Sequence, residues 1–272
     1  MQKERIHSMK PNYENWVPKK MVVGLFAGAA VALLLFILFG ATGLILHGTA
    51  RMICAVVLGL LTLVLLVFAV WMLLMHRAFD YNGKRKLAKA IVEGVAAHVD
   101  LPDGGIGLDV GCGSGALTIA CAKRNPKAQM LGCDIWSGAY KSVFTKELCE
   151  QNAKAEGVKN ACFERGDATK LPFADESFDA VTSNYVYHNI PMADRQALLL
   201  ETLRTLKKGG VFAIHDIMSQ RRYGDMQAFA AKLRAMGYEE VRLIDTTDGT
   251  FLGKKEAAWM DLAGSTLLVG KK

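Results

Sequence analysis

The chain has 272 residues, 51% of them apolar, with a formal net charge of +7 and six cysteines. That length accommodates one full α/β domain plus something smaller, and the basic charge comes without a basic helix or aromatic-basic alternation, so nucleic acid is not an expected partner. The cysteines, at 54, 112, 121, 133, 149 and 162, form no C-x-x-C pair and meet no histidine pair, so no metal is expected and they read as buried small hydrophobes of a reducing compartment.

In chain order, the first feature is an uncharged run from Met21 to Leu46. As a helix it would reach about 39 Å, more than the ~30 Å hydrocarbon core of a bilayer. A second uncharged run, Met52 to Met75, follows after only His47-Gly48-Thr49-Ala50-Arg51, which predicts an antiparallel helical hairpin. A signal peptide would have a shorter apolar core and no second span behind it. Core helices of a soluble protein rarely run so far without a polar face. Lys3, Arg5, Lys10, Lys19 and Lys20 precede the hairpin, and Arg77, Lys84, Arg85, Lys86 and Lys89 follow it, against Arg51 alone in the turn. The positive-inside rule therefore puts both ends, and the large domain, in the cytoplasm, with membrane lipids as partners of the basic flanks. The expected organisation is a cytoplasmic segment over 1–20, a transmembrane hairpin over 21–75 and one large domain over 76–272.

Beyond Lys84, helical and extended patterns alternate. Leu87, Ile91 and Val95 mark an amphipathic helix; Ile106 to Val110 is a buried strand. A helix is predicted from about Ser114 to Lys123, a strand over Gln129 to Cys133, and a longer helix from about Ala139 to Glu156 with Gly157 as its cap. Ala161 to Glu164 and Ala180 to Ser183 are the next strands. Leu199, Leu203 and Leu206 form a helical stripe, and Val211 to Ile214 a fifth strand. Met226, Phe229, Ala230 and Leu233 make one more helix, and strands follow around Val241 and Leu243 and at Ser265 to Val269. This alternation predicts a doubly wound α/β sheet with its ligand beyond the strand C-termini; the strand order does not follow from it.

The stretch Leu108-Asp109-Val110-Gly111-Cys112-Gly113-Ser114-Gly115-Ala116 stands where a strand turns into a helix. Glycines there allow φ > 0 and let a ligand press on the backbone. The spacing loosely matches a dinucleotide fingerprint, so an NAD-linked oxidoreductase is one reading. S-adenosylmethionine (SAM) is the other, because it has no phosphates and gains from acidic partners. Asp109 is badly placed beside a pyrophosphate. Asp134 at the end of the second strand suits ribose hydroxyls, and Asp167 after the third suits an adenine amino group.

DVGCGSG, the acidic end of GCDIW, GDATKLPF, FDAVTSNYVYHNI and LKKGGVFAIHDI together resemble the successive motifs of class I SAM-dependent methyltransferases, in the branch with quinone-biosynthesis and other small-molecule enzymes. The resemblance covers roughly Leu87 to Gly270. It implies a Rossmann-like seven-stranded sheet whose last strand inserts antiparallel. By motif position, Asp109, Gly111, Gly113 and Gly115 would hold the methionine end of SAM and Asp134 the ribose. Ile135 and Trp136 would flank the adenine, with Asp167 and Ala168 at its edge, and Asn184 would close the floor under the sulfonium. The hairpin lies outside the family's common core.

Methyl transfer is an in-line displacement, so orientation and desolvation supply much of the rate and a base is needed only if the acceptor must lose a proton. Tyr185, Tyr187 and His188 follow the fourth strand, next to the expected methyl position. His188 is the candidate general base, the alternative being that this run only walls the cleft. His215-Asp216 at the end of the fifth strand is a second candidate base unit, although strand neighbours point to opposite faces. An anchored enzyme suits a small lipophilic acceptor such as a quinone, an isoprenoid, an amine-bearing lipid or a hydrophobic thiol. A hairpin that serves only as an address, or a scaffold that binds SAM without turnover, is the alternative.

Overall fold

Alternating apolar strands and amphipathic helices build a seven-stranded sheet in the order β3-β2-β1-β4-β5-β7-β6, in a computed structural model that describes residues 10–137, 143–191 and 194–272. The strands are β1 (Ile106–Val110), β2 (Gln129–Asp134), β3 (Ala161–Arg165), β4 (Phe178–Asn184), β5 (Leu206–Ile217), β6 (Glu239–Asp245) and β7 (Ser265–Lys271). β7 runs antiparallel between β5 and β6, and the other neighbouring pairs are parallel. From β1 the chain winds outward to β3, then returns to add β4 and β5 on the other side. The crevice at that reversal, between the ends of β1 and β4, is where such a sheet takes its ligand.

Helices cover the sheet: α3 (Leu87–Ala96), α4 (Ala116–Arg124), α5 (Lys146–Ala155), α6 (Arg195–Arg204), α7 (Gln220–Tyr223), α8 (Met226–Ala235) and α9 (Lys254–Trp259). Leu198, Leu199 and Leu203 of α6 and Phe229, Ala230 and Leu233 of α8 are fully or almost fully buried, in one core with Val181, Phe212 and Leu268 of the sheet. Side chains set the helix starts. Thr145 accepts from Leu148 N (3.1 Å), Asp194 from Ala197 N (3.1 Å), and Asp225 from Gln227 N and Ala228 N (both 2.9 Å).

Three sequence expectations shift here. The helix expected from Ala139 begins at Lys146: its first part falls on 139–142, outside the described residues, and Thr145 is an extended N-cap. The helix expected from Ser114 begins at Ala116, because Gly115 has φ 82°. Leu206, read as the end of a helical stripe, opens β5 opposite Phe178.

The chain divides into two compact units, Glu14–Ala88 and, as the other, Met1–Tyr13 with Lys89–Lys272. In the second unit the N-terminal segment packs on α5. Asn152 accepts from Asn12 N (2.7 Å) and donates to Asn12 O (2.8 Å) and Ser114 O (3.0 Å), while the Tyr13 hydroxyl donates to Glu156 Oε1 (3.0 Å).

The unit Glu14–Ala88 holds α1 (Lys19–Leu35), continued by a π-helical turn over Phe36–Ala41, and α2 (Gly48–Phe79). The first apolar run therefore stops being helical at Ala41, five residues short of Leu46. A Cβ on Gly40 would lie 2.6 Å from the Ala55 Cα, so glycine is what lets the two helices touch there. Both helical stretches are long and apolar enough to cross a membrane, at 23 and 32 residues. Only 17% and 11% of their most apolar windows are buried, which is unlike the core helix of a soluble protein. Leu34, Val56, Leu60, Leu63 and Val67 stand exposed.

Candidate functional site

The glycine loop leaves β1 and turns into α4 with Gly111, Gly113 and Gly115 at φ 73°, 56° and 82°. Gly111 N and Cys112 N both donate to Cys133 O (2.8 and 3.1 Å), which presses the loop onto the end of β2. A Cβ on Gly111 would lie 2.3 Å from Val186 Cγ2, so the loop passes tightly beneath the segment that follows β4.

Asp134 ends β2 opposite Arg165 of β3. Its Oδ2 accepts from Gly113 N (3.0 Å) and its Oδ1 from Trp136 N (2.7 Å). A carboxylate has about four lone-pair sites, so two remain for a pair of vicinal hydroxyls. Ile135 beside it is 39% exposed, an apolar surface at a strand end that a flat ring could cover. Trp136, at φ 42°, ties its indole Nε1 to Gly113 O (3.0 Å). Asp167 is exposed, with Oδ1 accepting from Thr169 N and Oγ1 (2.8 and 2.7 Å), and Ala168 is half-buried. The glycine cradle, the half-satisfied Asp134 and the bare Ile135 fit a ribose and adenine without phosphates, as in SAM.

Asp109, expected at the methionine end, is held inside the domain. Its side chain is 1% exposed; Oδ2 accepts from Thr118 Oγ1 (2.6 Å) and Oδ1 from Thr182 Oγ1 (2.9 Å). It braces β1 to α4 and β4. Burial lifts its carboxyl to about 7 against the lowering effect of the two threonines. Burial likewise pushes the Cys112 and Cys121 thiols well up and Cys133 to about 12, so these three offer no thiolate at neutral pH.

Beyond Asn184 the strand period breaks. Tyr185 takes φ 55°, an uncommon conformation for a bulky residue, and Tyr187–Asn189 forms a 3₁₀ turn. Tyr187, expected beside the methyl position, lies in the core instead: its ring is fully buried and its hydroxyl bonds Thr202 Oγ1 (2.7 Å). Tyr185 bonds Ser265 Oγ (2.7 Å) and lays its ring on His215, centroids 4.6 Å apart.

His215 and Asp216 do not form a pair with each other. His215 is buried and bonds Asn184 Oδ1 through Nδ1 (2.8 Å) and Thr246 Oγ1 through Nε2 (2.9 Å). Burial lowers its pKa to about 3, so it stays neutral with both ring nitrogens engaged. Asp216, on the opposite face, accepts from His188 Nδ1 (2.6 Å). Alternation along β5 was the one signal that separated the two residues; the register that brings His188 to Asp216 is tertiary and left none. Asn152, which links the N-terminal segment to Ser114, also had no signal in the sequence.

A family model described as a methyltransferase domain matches residues 108–214. The demethylmenaquinone methyltransferase of Geobacillus stearothermophilus is 30% identical over 177 residues, 61% of this chain and 72% of the relative. The ubiquinone/menaquinone biosynthesis C-methyltransferase of Desulfotalea psychrophila is 33% identical over 116 residues, 43% of either chain. Among solved structures, the 4+2 cyclase SpnF superimposes with TM-score 0.52 at 21% identity, over 71% of this chain and 85% of the other. A geranyl diphosphate methyltransferase in complex with GPP and sinefungin does so with TM-score 0.51 at 16% identity, over the same shares, 71% and 85%. These two share the fold with the chain.

Proposed function

Because the chain belongs to the SAM-dependent methyltransferases, we propose that it is a membrane-anchored member of the quinone type, methylating a small lipophilic acceptor at the cytoplasmic face. The observation that carries this reading is the combination of a cofactor cradle with two exposed apolar helices in one chain. The hairpin is the anchor, and the remainder is the catalytic domain. Asp134 binds the ribose hydroxyls, Ile135 and Trp136 flank the adenine, and Asp167 with Ala168 borders it. Gly111, Gly113 and Gly115 give the methionine end access to backbone N–H groups, with Asn184 below the sulfonium. Relatives named for demethylmenaquinone and ubiquinone/menaquinone biosynthesis support a quinone-like acceptor over a water-soluble one.

The test supplies SAM carrying a labelled methyl group to membranes holding the full chain, then separates organic from aqueous extracts. Label is expected in the organic phase. Asp134→Ala removes charge-assisted hydrogen bonds worth about 1.5–3 kcal/mol each, so SAM affinity is expected to fall 10- to 100-fold and the label with it. Label confined to water would make the hairpin a mere address, and SAM binding without label in either phase would point to a scaffold.

Orientation has its own measurement. Fluorescent-protein fusions at the C-terminus are expected to be bright in a bacterial host, and alkaline phosphatase fusions there inactive. The reverse pattern would place the domain outside.

A further inference from the structure

We propose that Asp216 is a positioning residue that holds His188 as the general base, which removes a ring hydroxyl proton from the quinone-like acceptor of the proposed function, taken in its reduced form. This rests on the methyltransferase reading of the site and deepens it by naming the group that takes the proton and the group that orients it.

The geometry is that of an oriented imidazole. Asp216 is fully buried, and its carboxylate grips His188 twice, taking the ring Nδ1–H at Oδ1 (2.6 Å) and the backbone N–H at Oδ2 (3.2 Å). Ile217 N adds a third bond to Oδ1 (2.6 Å). Burial would raise the Asp216 carboxyl, but the His188 ring and the two backbone N–H groups outweigh it and hold it below the ordinary range. An ionised acceptor at Nδ1 leaves the Nε2 lone pair as the basic one. Among the described residues Nε2 has no hydrogen-bond partner, and the His188 side chain is 15% exposed.

The surroundings are consistent with this assignment. Tyr185 meets the His188 ring edge-on at 5.9 Å. Tyr223 is buried beside Asp216, and burial and the Asp216 charge keep that phenol protonated. Arg195 does not compete for Asp216: its guanidinium donates to the carbonyls of Tyr187, His188, Ile190 and Arg222, fastening the turn that carries the base. His215, behind Tyr185, has both ring nitrogens bonded and is excluded.

A base beside the methyl donor is needed only for an acceptor that must shed a proton. SAM, when bound, supplies an electrophilic methyl group on sulfonium. The acceptor hydroxyl passes its proton to His188 Nε2, and the released electron pair, on oxygen or delocalised to a ring carbon, forms the new bond to the methyl carbon. The carbon–sulfur bond breaks with its electrons left on sulfur. After attack by carbon, the ring C–H proton is lost to water and aromaticity returns.

The test uses full-length protein in lipid nanodiscs, with a short-chain prenylated 1,4-naphthoquinol lacking the ring methyl as probe, kept reduced. Asp216→Asn is expected to lower kcat by 10²–10⁴-fold while SAM affinity stays within about twofold. Its loss should shrink as pH rises, because the quinol then ionises without help. In ¹⁵N spectra of the imidazoles, native His188 should carry its proton on Nδ1, and Asp216→Asn should move it to Nε2. An unchanged tautomer, or a pH profile parallel to that of the native protein, overturns the Asp216 assignment. Native protein that binds SAM and leaves the quinol unmethylated overturns the quinone-like acceptor of the proposed function, and native protein that fails to bind SAM overturns the cofactor site itself.

Discussion

Gly111→Ala is expected to weaken SAM binding about a hundredfold or more in a chain that still folds. Two costs converge on that position. Its φ of 73° is one that an L side chain adopts only with strain, about 1–2 kcal/mol. The new methyl would also lie 2.3 and 2.5 Å from the two γ carbons of Val186, an overlap of the kind that costs about 1–3 kcal/mol in a packed interior. The loop can escape only by shifting, and a shift breaks the Gly111 N to Cys133 O bond that presses it on β2. Titration calorimetry with SAM, beside a circular dichroism spectrum, measures the effect. Val186→Ala in the same chain removes the two closest contacts but leaves the Val186 Cβ at 3.0 Å and the backbone strain, so the double variant should regain only part of the loss, roughly tenfold. Affinity within threefold of native for the single variant would mean that the cradle is not a close fit.

Asp109 supplies the second large effect, and it is one of pH. Its folded pKa is raised to about 7 by burial, against about 3.9 in an unfolded chain. Between these values the folded protein holds a proton that the unfolded chain has released. Stability from this group is therefore full below about pH 4, is lost as pH rises and levels off above about 7; the sum is on the order of 4 kcal/mol. Asn in its place can still bond Thr118 and Thr182 but has nothing to ionise. Relative to native, the melting temperature of Asp109→Asn should rise between pH 5 and pH 8, ending several degrees higher. Parallel curves across that range would mean that Asp109 is charged throughout.

Much of the candidate site is legible in the sequence, because its residues stand where a strand ends in punctuation. Gly111 to Gly115 and Asp134 are fixed by local backbone demands, and the structure puts them at neighbouring strand ends. What escaped depends on where a period fails. Leu206 continues the three-to-four spacing of Leu199 and Leu203, yet sheet pairing with Phe178 overrides it. Tyr185 at φ 55° ends the two-residue alternation of β4, so Tyr187 goes inward and His188 becomes the residue that meets Asp216. No count along the chain reveals that turn.

The compact unit that carries the site is discontinuous in sequence: it is composed of Met1–Tyr13 and Lys89–Lys272, with Glu14–Ala88 between them. Asn12 and Tyr13 are held to Asn152 and Glu156, so the chain leaves this unit and later returns to it. The consequence is one of parity. A segment whose two ends are gathered into the same folded body can pass through a bilayer only an even number of times, whatever its charges. Two helices meet that condition, and one alone would not.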